Sequence, residues 1–202
     1  IIDTSGRILK IRQEIFLEAD SIKNSDTLYL TDWSNAYSST KTPLAYRLVE
    51  EYDRSFYLSK KSKLGYTSIH SIFLDKHQSE WERIEDKPDI IRIVMDSKNR
   101  LDNKLSITIE YEVILPDSKF TGYGYSANGD VLLRFWYIAL SPRFNEKWVN
   151  YSHLNLDDFS IQAADYNFRL TVPQGVKPQT NLDYDTTIDN VYYLSLIHIS
   201  EP

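Results

Sequence analysis

The sequence predicts an all-β domain of antiparallel strands with one short helix, and three observations carry this prediction. Apolar and polar residues alternate with a period of two over several long stretches. Only one segment has helical spacing, whereas a parallel sheet would need a helix for nearly every crossover. The composition is rich in strand-forming aromatic residues, with 15 Tyr, 8 Phe and 4 Trp. Together these features favour an antiparallel β-sandwich.

The clearest strand signal is the alternation from Leu105 to Leu115, where the odd-numbered residues are apolar and those from Ser106 to Glu112 are polar on the other side. The same pattern recurs at residues 9–17 and 166–172, and it is typical of strands with one face in water. Shorter candidates lie at 28–30 and 90–95. A hairpin is predicted between residues 120–125 and 131–137, around the turn Ala127-Asn128-Gly129-Asp130.

The predicted helix spans residues 43–56. Thr42 is a suitable N-cap and Pro43 suits the first helical position. Apolar residues follow at Leu44, Leu48, Tyr52 and Phe56, each four apart, and so on one helix face. We interpret this face as docking onto the sheet, with a partner-binding groove as the alternative.

The pattern predicts one domain over residues 1–173. Residues 174–193 are expected to be a linker or the start of the next element. The stretch from Leu194 to Pro202 resembles translated sequencing-adapter read-through, so we expect a non-native tail with few native contacts. The chain starts Ile1-Ile2-Asp3, and we expect that the natural start lies upstream.

Composition and charge exclude several classes of function. Without cysteine there is no disulfide scaffold, thiolate zinc cluster or cysteine nucleophile. The net charge of −6, without a basic stripe, argues against nucleic acid as a partner. The longest uncharged apolar run, residues 191–199, is shorter than the roughly 20 residues of a membrane-spanning helix.

The sequence contains no recognisable catalytic motif. It has no His-Glu-x-x-His, Gly-x-Ser-x-Gly or phosphate-binding glycine loop, and its four histidines are scattered. We therefore predict no catalytic, metal or cofactor-binding residues in this chain. The polar cluster from His153 to Asp158 could form an acid–base pair, but a turn stabilised by Asp157 or Asp158 is the preferred interpretation.

An aromatic cluster offers a second candidate site. It comprises Phe135, Trp136, Tyr137, Phe144, Trp148 and Tyr151. Such residues could stack on sugar rings, although clusters of this kind more often belong to a core.

Five stretches, taken in order, resemble one protein family. They are Asp32-Trp33-Ser34-Asn35-Ala36-Tyr37, Thr42-Pro43-Leu44, Phe120-Thr121-Gly122-Tyr123-Gly124, Leu133-Arg134-Phe135-Trp136-Tyr137 and Asn155-Leu156-Asp157-Asp158. The chain is similar over residues 8–181 to the N-terminal domain of bacterial M1-family zinc metallopeptidases, the aminopeptidase N-like gluzincins. The resemblance rests on the ordered set rather than on any one motif.

The resemblance implies a saddle-shaped β-sandwich that packs on a downstream catalytic domain and helps to wall its active site. The family's zinc ligands lie on that later domain, so zinc is implied for the parent protein and no cofactor for this chain. The wall would include Phe135, Trp136, Tyr137, Asp157 and Asp158. Peptide substrate would be contacted only indirectly, and an exported bacterial protein is favoured.

Two alternatives to this hypothesis stay open. One is a freestanding β-sandwich that binds carbohydrate or protein, which predicts an exposed row formed by two or three of the four tryptophans. The other is a hydrolase that uses the region of His153 and Asp157.

Overall fold

The computed structural model describes residues 1–3, 7–18, 22, 24–95, 104–156 and 164–196. The strands assigned in these ranges are β1 (Ile2–Asp3), β2 (Ile8–Glu18), β3 (Thr27–Thr31), β4 (Tyr66–Leu74), β5 (His77–Gln78), β6 (Trp81–Ile84), β7 (Lys87–Val94), β8 (Lys104–Ile114), β9 (Gly124–Tyr125), β10 (Val131–Leu132), β11 (Ala139–Leu140), β12 (Arg143–Phe144), β13 (Lys147–Trp148), β14 (Tyr166–Thr171), β15 (Asp183–Ile188) and β16 (Val191–Leu196). Among the described residues, the helical elements with assigned bounds are α1 (Pro43–Glu50) and two short 3-10 helices, Trp33–Tyr37 and Lys61–Lys63.

The strands form antiparallel sheets, which confirms the predicted all-β class with one short helix. The first large sheet has the order β1-β2-β8-β4-β5, and the second has the order β11-β3-β7-β6. Three small sheets accompany them, namely β9-β10, β12-β13 and β14-β16-β15. Apart from one isolated parallel bridge between Asp117 and Tyr125, every described pairing is antiparallel.

The two large sheets share one hydrophobic core, as expected for a sandwich. Ile107 and Ile109 of β8 are completely buried, and so are Leu28 and Leu30 of β3. All four belong to the same cluster of contacting side chains. Burial of each such side chain contributes about 1.5–3 kcal/mol, so the shared core is the main source of stability.

The helix α1 begins as predicted and ends six residues earlier than predicted. The Thr42 hydroxyl oxygen accepts a hydrogen bond from the Ala45 N–H, as an N-cap does. The end is a Schellman motif, in which Tyr52 has a φ of 65° and the Asp53 N–H bonds the carbonyl of Leu48. Leu44 and Leu48 are buried in the core, so the predicted docking face is confirmed for the helical part.

Several strands have no counterpart in the sequence analysis, the longest of them being β4, and the predicted hairpin is shorter than expected. In β4 the pairing with β8 shifts between Ile69 and Ser71, and this bulge breaks the alternation of the sequence. The hairpin around Gly129 retains only β9 and β10 as strands. The chain leaves the extended conformation at Gly122 and at Phe135, whose φ values are 75° and 49°.

The C-terminal sheet contains the predicted strand β14 together with β15 and β16. Residues 183–193, predicted to be a linker or the start of the next element, supply β15 and half of β16. The predicted tail boundary at residue 194 lies inside β16, where Leu194 is buried and pairs with Phe168. Residues 197–202 lie outside the described part of the chain.

Candidate functional site

Four of the five stretches that carry the family resemblance meet at one small cavity. It is lined by Trp33, Ser34, Tyr37, Thr121, Tyr123, Arg134, Phe135, His153 and Asn155. Its volume of about 10 Å³ is comparable to the space that one water molecule needs. No organic substrate fits there.

Hydroxyl groups and one imidazole interact around this cavity. The Tyr37 hydroxyl lies 2.5 Å from the Thr121 hydroxyl and 3.2 Å from Nε2 of His153. The Ser34 and Tyr123 hydroxyls are 2.9 Å apart. These bonds join the 3-10 helix Trp33–Tyr37 to the segment before β9 and to the chain near residue 153, so they fix three distant parts of the sequence together.

The ionisation behaviour of the cavity does not suit acid–base catalysis at neutral pH. Burial raises the pKa of Tyr37 to about 12, and burial, assisted by Arg134, lowers the pKa of His153 to about 4. A catalytic acid or base works best with a pKa near the working pH. Both side chains are therefore neutral at pH 7, and the arrangement is suited to holding the fold.

A buried ion pair lies just before the same 3-10 helix. Asp32 is 1% exposed, and its Oδ2 accepts a hydrogen bond of 2.8 Å from the Arg83 guanidinium. The Thr67 hydroxyl donates to Oδ1 of Asp32 at 2.8 Å. Asn35 completes the layer, because its amide donates to the Pro88 carbonyl and its oxygen accepts from the Thr67 N–H.

A second buried carboxylate, Asp89, holds the chain at residues 152–153. Its Oδ1 accepts from the Ser152 hydroxyl at 2.8 Å and its Oδ2 from the His153 N–H at 2.6 Å. Burial raises the pKa of Asp89 to about 6, against these hydrogen bonds. The Asp89 carbonyl also accepts from the Asp32 N–H, which links the two carboxylate networks.

Asp89 and His153 are expected to make opposite contributions to the pH dependence of stability. Folded Asp89 holds its proton more tightly than in the unfolded chain, so its contribution is full below pH 3.8 and is lost as the pH rises through about 6. Folded His153 holds its proton less tightly, so its contribution is lost as the pH falls from 6.5 to about 4. Each effect amounts to about 3 kcal/mol, and they offset one another.

Substitution of either residue should expose the contribution of the other. Relative to wild type, Asp89→Asn should lose about 3 kcal/mol between pH 6.5 and pH 4, whereas His153→Gln should gain a similar amount. Urea unfolding at three pH values in this range measures both differences. Because Asp32 titrates in all three proteins, its contribution cancels. If the free energies of unfolding of both variants changed with pH as that of the wild type does, the pKa shifts assigned to Asp89 and His153 would be contradicted.

The structure separates the residues that sequence analysis grouped as an active-site wall. Phe135 lines the small cavity and packs edge-on against Trp33, with 5.1 Å between ring centroids. Trp136 and Tyr137 instead line a larger cleft. Asp157 and Asp158 lie outside the described residues.

The larger cleft has a volume of about 1000 Å³ and lies between β2, the segment 133–140 and β14. Its size is at the upper end of the range for ligand pockets, about 300–1000 Å³. Four aromatic rings form one wall, since Trp136 and Tyr137 each pack against Phe168, and Tyr137 also packs against Tyr166. Centroid separations of 5.1–5.9 Å indicate close ring contacts.

The four tryptophans do not form an exposed row. The side chains of all four are half-buried, and those of Trp81, Trp136 and Trp148 pack against the core. The Trp148 indole donates to the Ser25 hydroxyl and lies against the Arg143 guanidinium. The exposed members of the predicted aromatic cluster are Phe144 and Tyr151, each 71% exposed.

Sequence analysis missed Arg83 and Asp89, which organise the buried polar layer. A signal existed for Asp89, because an acidic residue directly before the apolar run Ile90-Ile91 is unusual in a buried strand. Arg83 carried no comparable signal. Within the described ranges, no group of three or more His, Asp or Glu side chains could hold a metal ion. None of the described helices has the length and apolarity for crossing a membrane.

Neither the protein-family models nor the curated proteins include a match to this chain.

Proposed function

We propose that this chain is the non-catalytic N-terminal domain of an M1-like zinc metallopeptidase. In this role it packs on a catalytic domain downstream in the same protein and helps to shape access to the active site. The zinc and the groups that cleave the peptide belong to that later domain. The proposal rests on the family resemblance together with the architecture of the small cavity.

One observation carries the proposal: four of the five stretches that resemble the family converge on one water-sized cavity. Trp33, Tyr37, Tyr123 and Phe135 come from three of these stretches and are committed to mutual packing and hydrogen bonds. Residues committed in this way hold the fold together. A resemblance concentrated there supports a domain that keeps its family's architecture while the chemistry lies elsewhere.

A freestanding module that binds carbohydrate or protein is the second candidate. The large cleft with its aromatic wall favours it, because rings beside polar groups are typical of sugar-binding sites. The half-buried state of all four tryptophans argues against a stacking platform. We therefore rank it second.

The decisive experiment is long-read sequencing of the source DNA beyond the codon for Tyr193. Continuation of the frame into Gly-x-Met-Glu-Asn and His-Glu-x-x-His would support the proposal. The complete protein should then bind zinc and hydrolyse aminoacyl p-nitroanilides, whereas this chain alone should be inert. A stop codon directly after Pro202 would contradict the proposal.

A fluorescence titration separates the second candidate from the first. Soluble polysaccharides added to this chain should leave its tryptophan emission unchanged under the first proposal. Saturable changes that depend on Trp136 would instead support carbohydrate binding in the large cleft.

A further inference from the structure

The loop that connects α1 to β4 presents exposed side chains on a backbone that internal contacts hold in place. We call residues 52–63 the basic loop. Phe56 is completely buried and packs against Phe120, with 4.8 Å between the ring centroids. The Leu58 N–H donates to the Arg54 carbonyl and closes a helical turn around this anchor. The loop therefore presents its outward-facing side chains from a defined backbone.

Positive charge is concentrated on the basic loop, although the whole chain has a net charge of −6. Four basic side chains of the loop are exposed, namely Arg54, Lys60, Lys61 and Lys63. No acidic residue occurs between positions 54 and 66. Lys119 adds to this region, because its ammonium group lies 5.7 Å from the ring centroid of Phe120, which contacts the loop. Among the described residues, Lys63 alone of these five cations forms an ion pair within 4 Å, with Asp117.

The same loop exposes three large side chains with apolar surface. Tyr52 is 93% exposed, Leu58 is 73% exposed and Tyr57 is 50% exposed. Tyr52 is the most exposed of the large hydrophobic side chains that the structure describes. Neither of the two cavities described above includes a residue of this loop. The loop therefore combines positive charge with exposed apolar side chains, outside both cavities.

This combination matches the chemistry of an anionic lipid surface. Anionic headgroups attract lysine and arginine side chains close to a membrane, and salt screens this attraction. Tyrosine suits the headgroup region, because its ring lies in an apolar environment while its hydroxyl stays in water. An acidic protein segment would complement the lysines but would offer Tyr52 and Leu58 no apolar contact. A lipid surface therefore accounts for more of the observations.

We propose that the basic loop binds the surface of a membrane that contains anionic lipids. Arg54, Lys60 and Lys61 lie against the headgroups, and Tyr52 and Leu58 enter the interface between headgroups and acyl chains. Binding of this kind is peripheral and reversible, since so few side chains bury little apolar area. The proposal goes beyond the function proposed above and does not depend on it.

Binding of this chain to lipid vesicles, measured by sedimentation, tests the proposal. Vesicles of phosphatidylcholine and phosphatidylglycerol should bind the chain at least about tenfold more tightly than vesicles of phosphatidylcholine alone. A higher salt concentration should weaken this binding, because it screens the attraction between lysines and headgroups. In NMR spectra of the labelled chain with nanodiscs of the anionic mixture, the amides of residues 52–63 should lose the most signal.

Two pairs of lysine substitutions separate the basic loop from non-specific attraction. Lys60→Gln combined with Lys61→Gln should weaken binding to the anionic vesicles at least about fivefold. Lys147→Gln combined with Lys177→Gln is the matched control, because it removes the same charge from two exposed residues outside the loop. The control should weaken binding by less than about twofold.

A pair of leucine substitutions tests the apolar part of the contact. Leu58→Ser should weaken binding to the anionic vesicles by about threefold, because serine gains nothing by entering the interface. Leu132 of β10, which is 47% exposed, provides the control, and Leu132→Ser should leave binding unchanged. Far-ultraviolet circular dichroism verifies that each variant is folded.

Three results would overturn the proposal. The chain could bind neutral and anionic vesicles equally, or both lysine pairs could reduce binding to the same extent. Alternatively, the chain could bind a labelled polyglutamate peptide through Lys60 and Lys61 without binding either kind of vesicle. That result would assign the basic loop to an acidic protein segment.

Discussion

Replacing Arg83 with Met is expected to lower the free energy of unfolding by about 3–5 kcal/mol at pH 7. Arg83 bonds Asp32, whose side chain is 2% exposed, and also donates to the carbonyl of Pro88. Met fills much of the space of the arginine stem but offers no charge. The substitution therefore leaves a buried carboxylate without its cation, which is the costly outcome at a buried ion pair.

The loss should shrink as the pH falls, because Asp32 can become neutral. Burial raises the pKa of Asp32, and Arg83 opposes that rise. Without Arg83 the pKa rises further, so protonation relieves the buried charge at a higher pH. Urea unfolding at pH 7 and pH 5 should show a larger penalty at pH 7.

The surface pair of Arg92 and Glu82 provides the control for Arg83. Its nitrogen and oxygen are 2.6 Å apart, but the side chains are 43% and 61% exposed. Arg92→Met should therefore cost no more than about 1 kcal/mol. Adding Asp32→Asn to Arg83→Met should recover part of the loss. Equal losses for the two Arg→Met variants would contradict the buried-pair interpretation.

The sequence predicts the fold class because the long central strand has an unbroken pattern. β8 alternates strictly through its pairing with β2, so its buried face can be identified from residue types alone. β4 pairs with the same strand, but its bulge after Ile69 interrupts the alternation of apolar and polar residues. The strand therefore cannot be recognised from that alternation. Local pattern therefore succeeds only where the pairing is regular.

The candidate sites depend on contacts that no local pattern encodes. Asp32, Thr67 and Arg83 meet across 51 positions of sequence, and each residue type alone would suit a surface. The resemblance to a peptidase domain concerns residues that pack together, so it bears on fold more directly than on chemistry.

Gly124→Ala is expected to destabilise the protein by about 3–5 kcal/mol, through backbone strain and steric overlap together. Gly124 has a φ of 122°, and a Cβ atom there would overlap the carbonyl oxygen of Pro116. That oxygen accepts the Tyr125 N–H at 2.8 Å, so the chain cannot move away without losing the bond.

Gly129→Ala measures the cost of backbone strain without steric overlap, so its comparison with Gly124→Ala gives the contribution of the overlap. Gly129 also has a positive φ, 89°, but a Cβ there would meet no atom within 4 Å. The control should therefore lose only about 1 kcal/mol, from backbone strain alone. Thermal and urea unfolding of both variants would compare the losses, and equal losses would contradict the steric argument. Gly124 follows Tyr123, whose hydroxyl forms a hydrogen bond with the Ser34 hydroxyl. The overlap at Pro116 in Gly124→Ala should therefore also disturb the small cavity. Near-ultraviolet circular dichroism of the aromatic rings around this cavity would report that change.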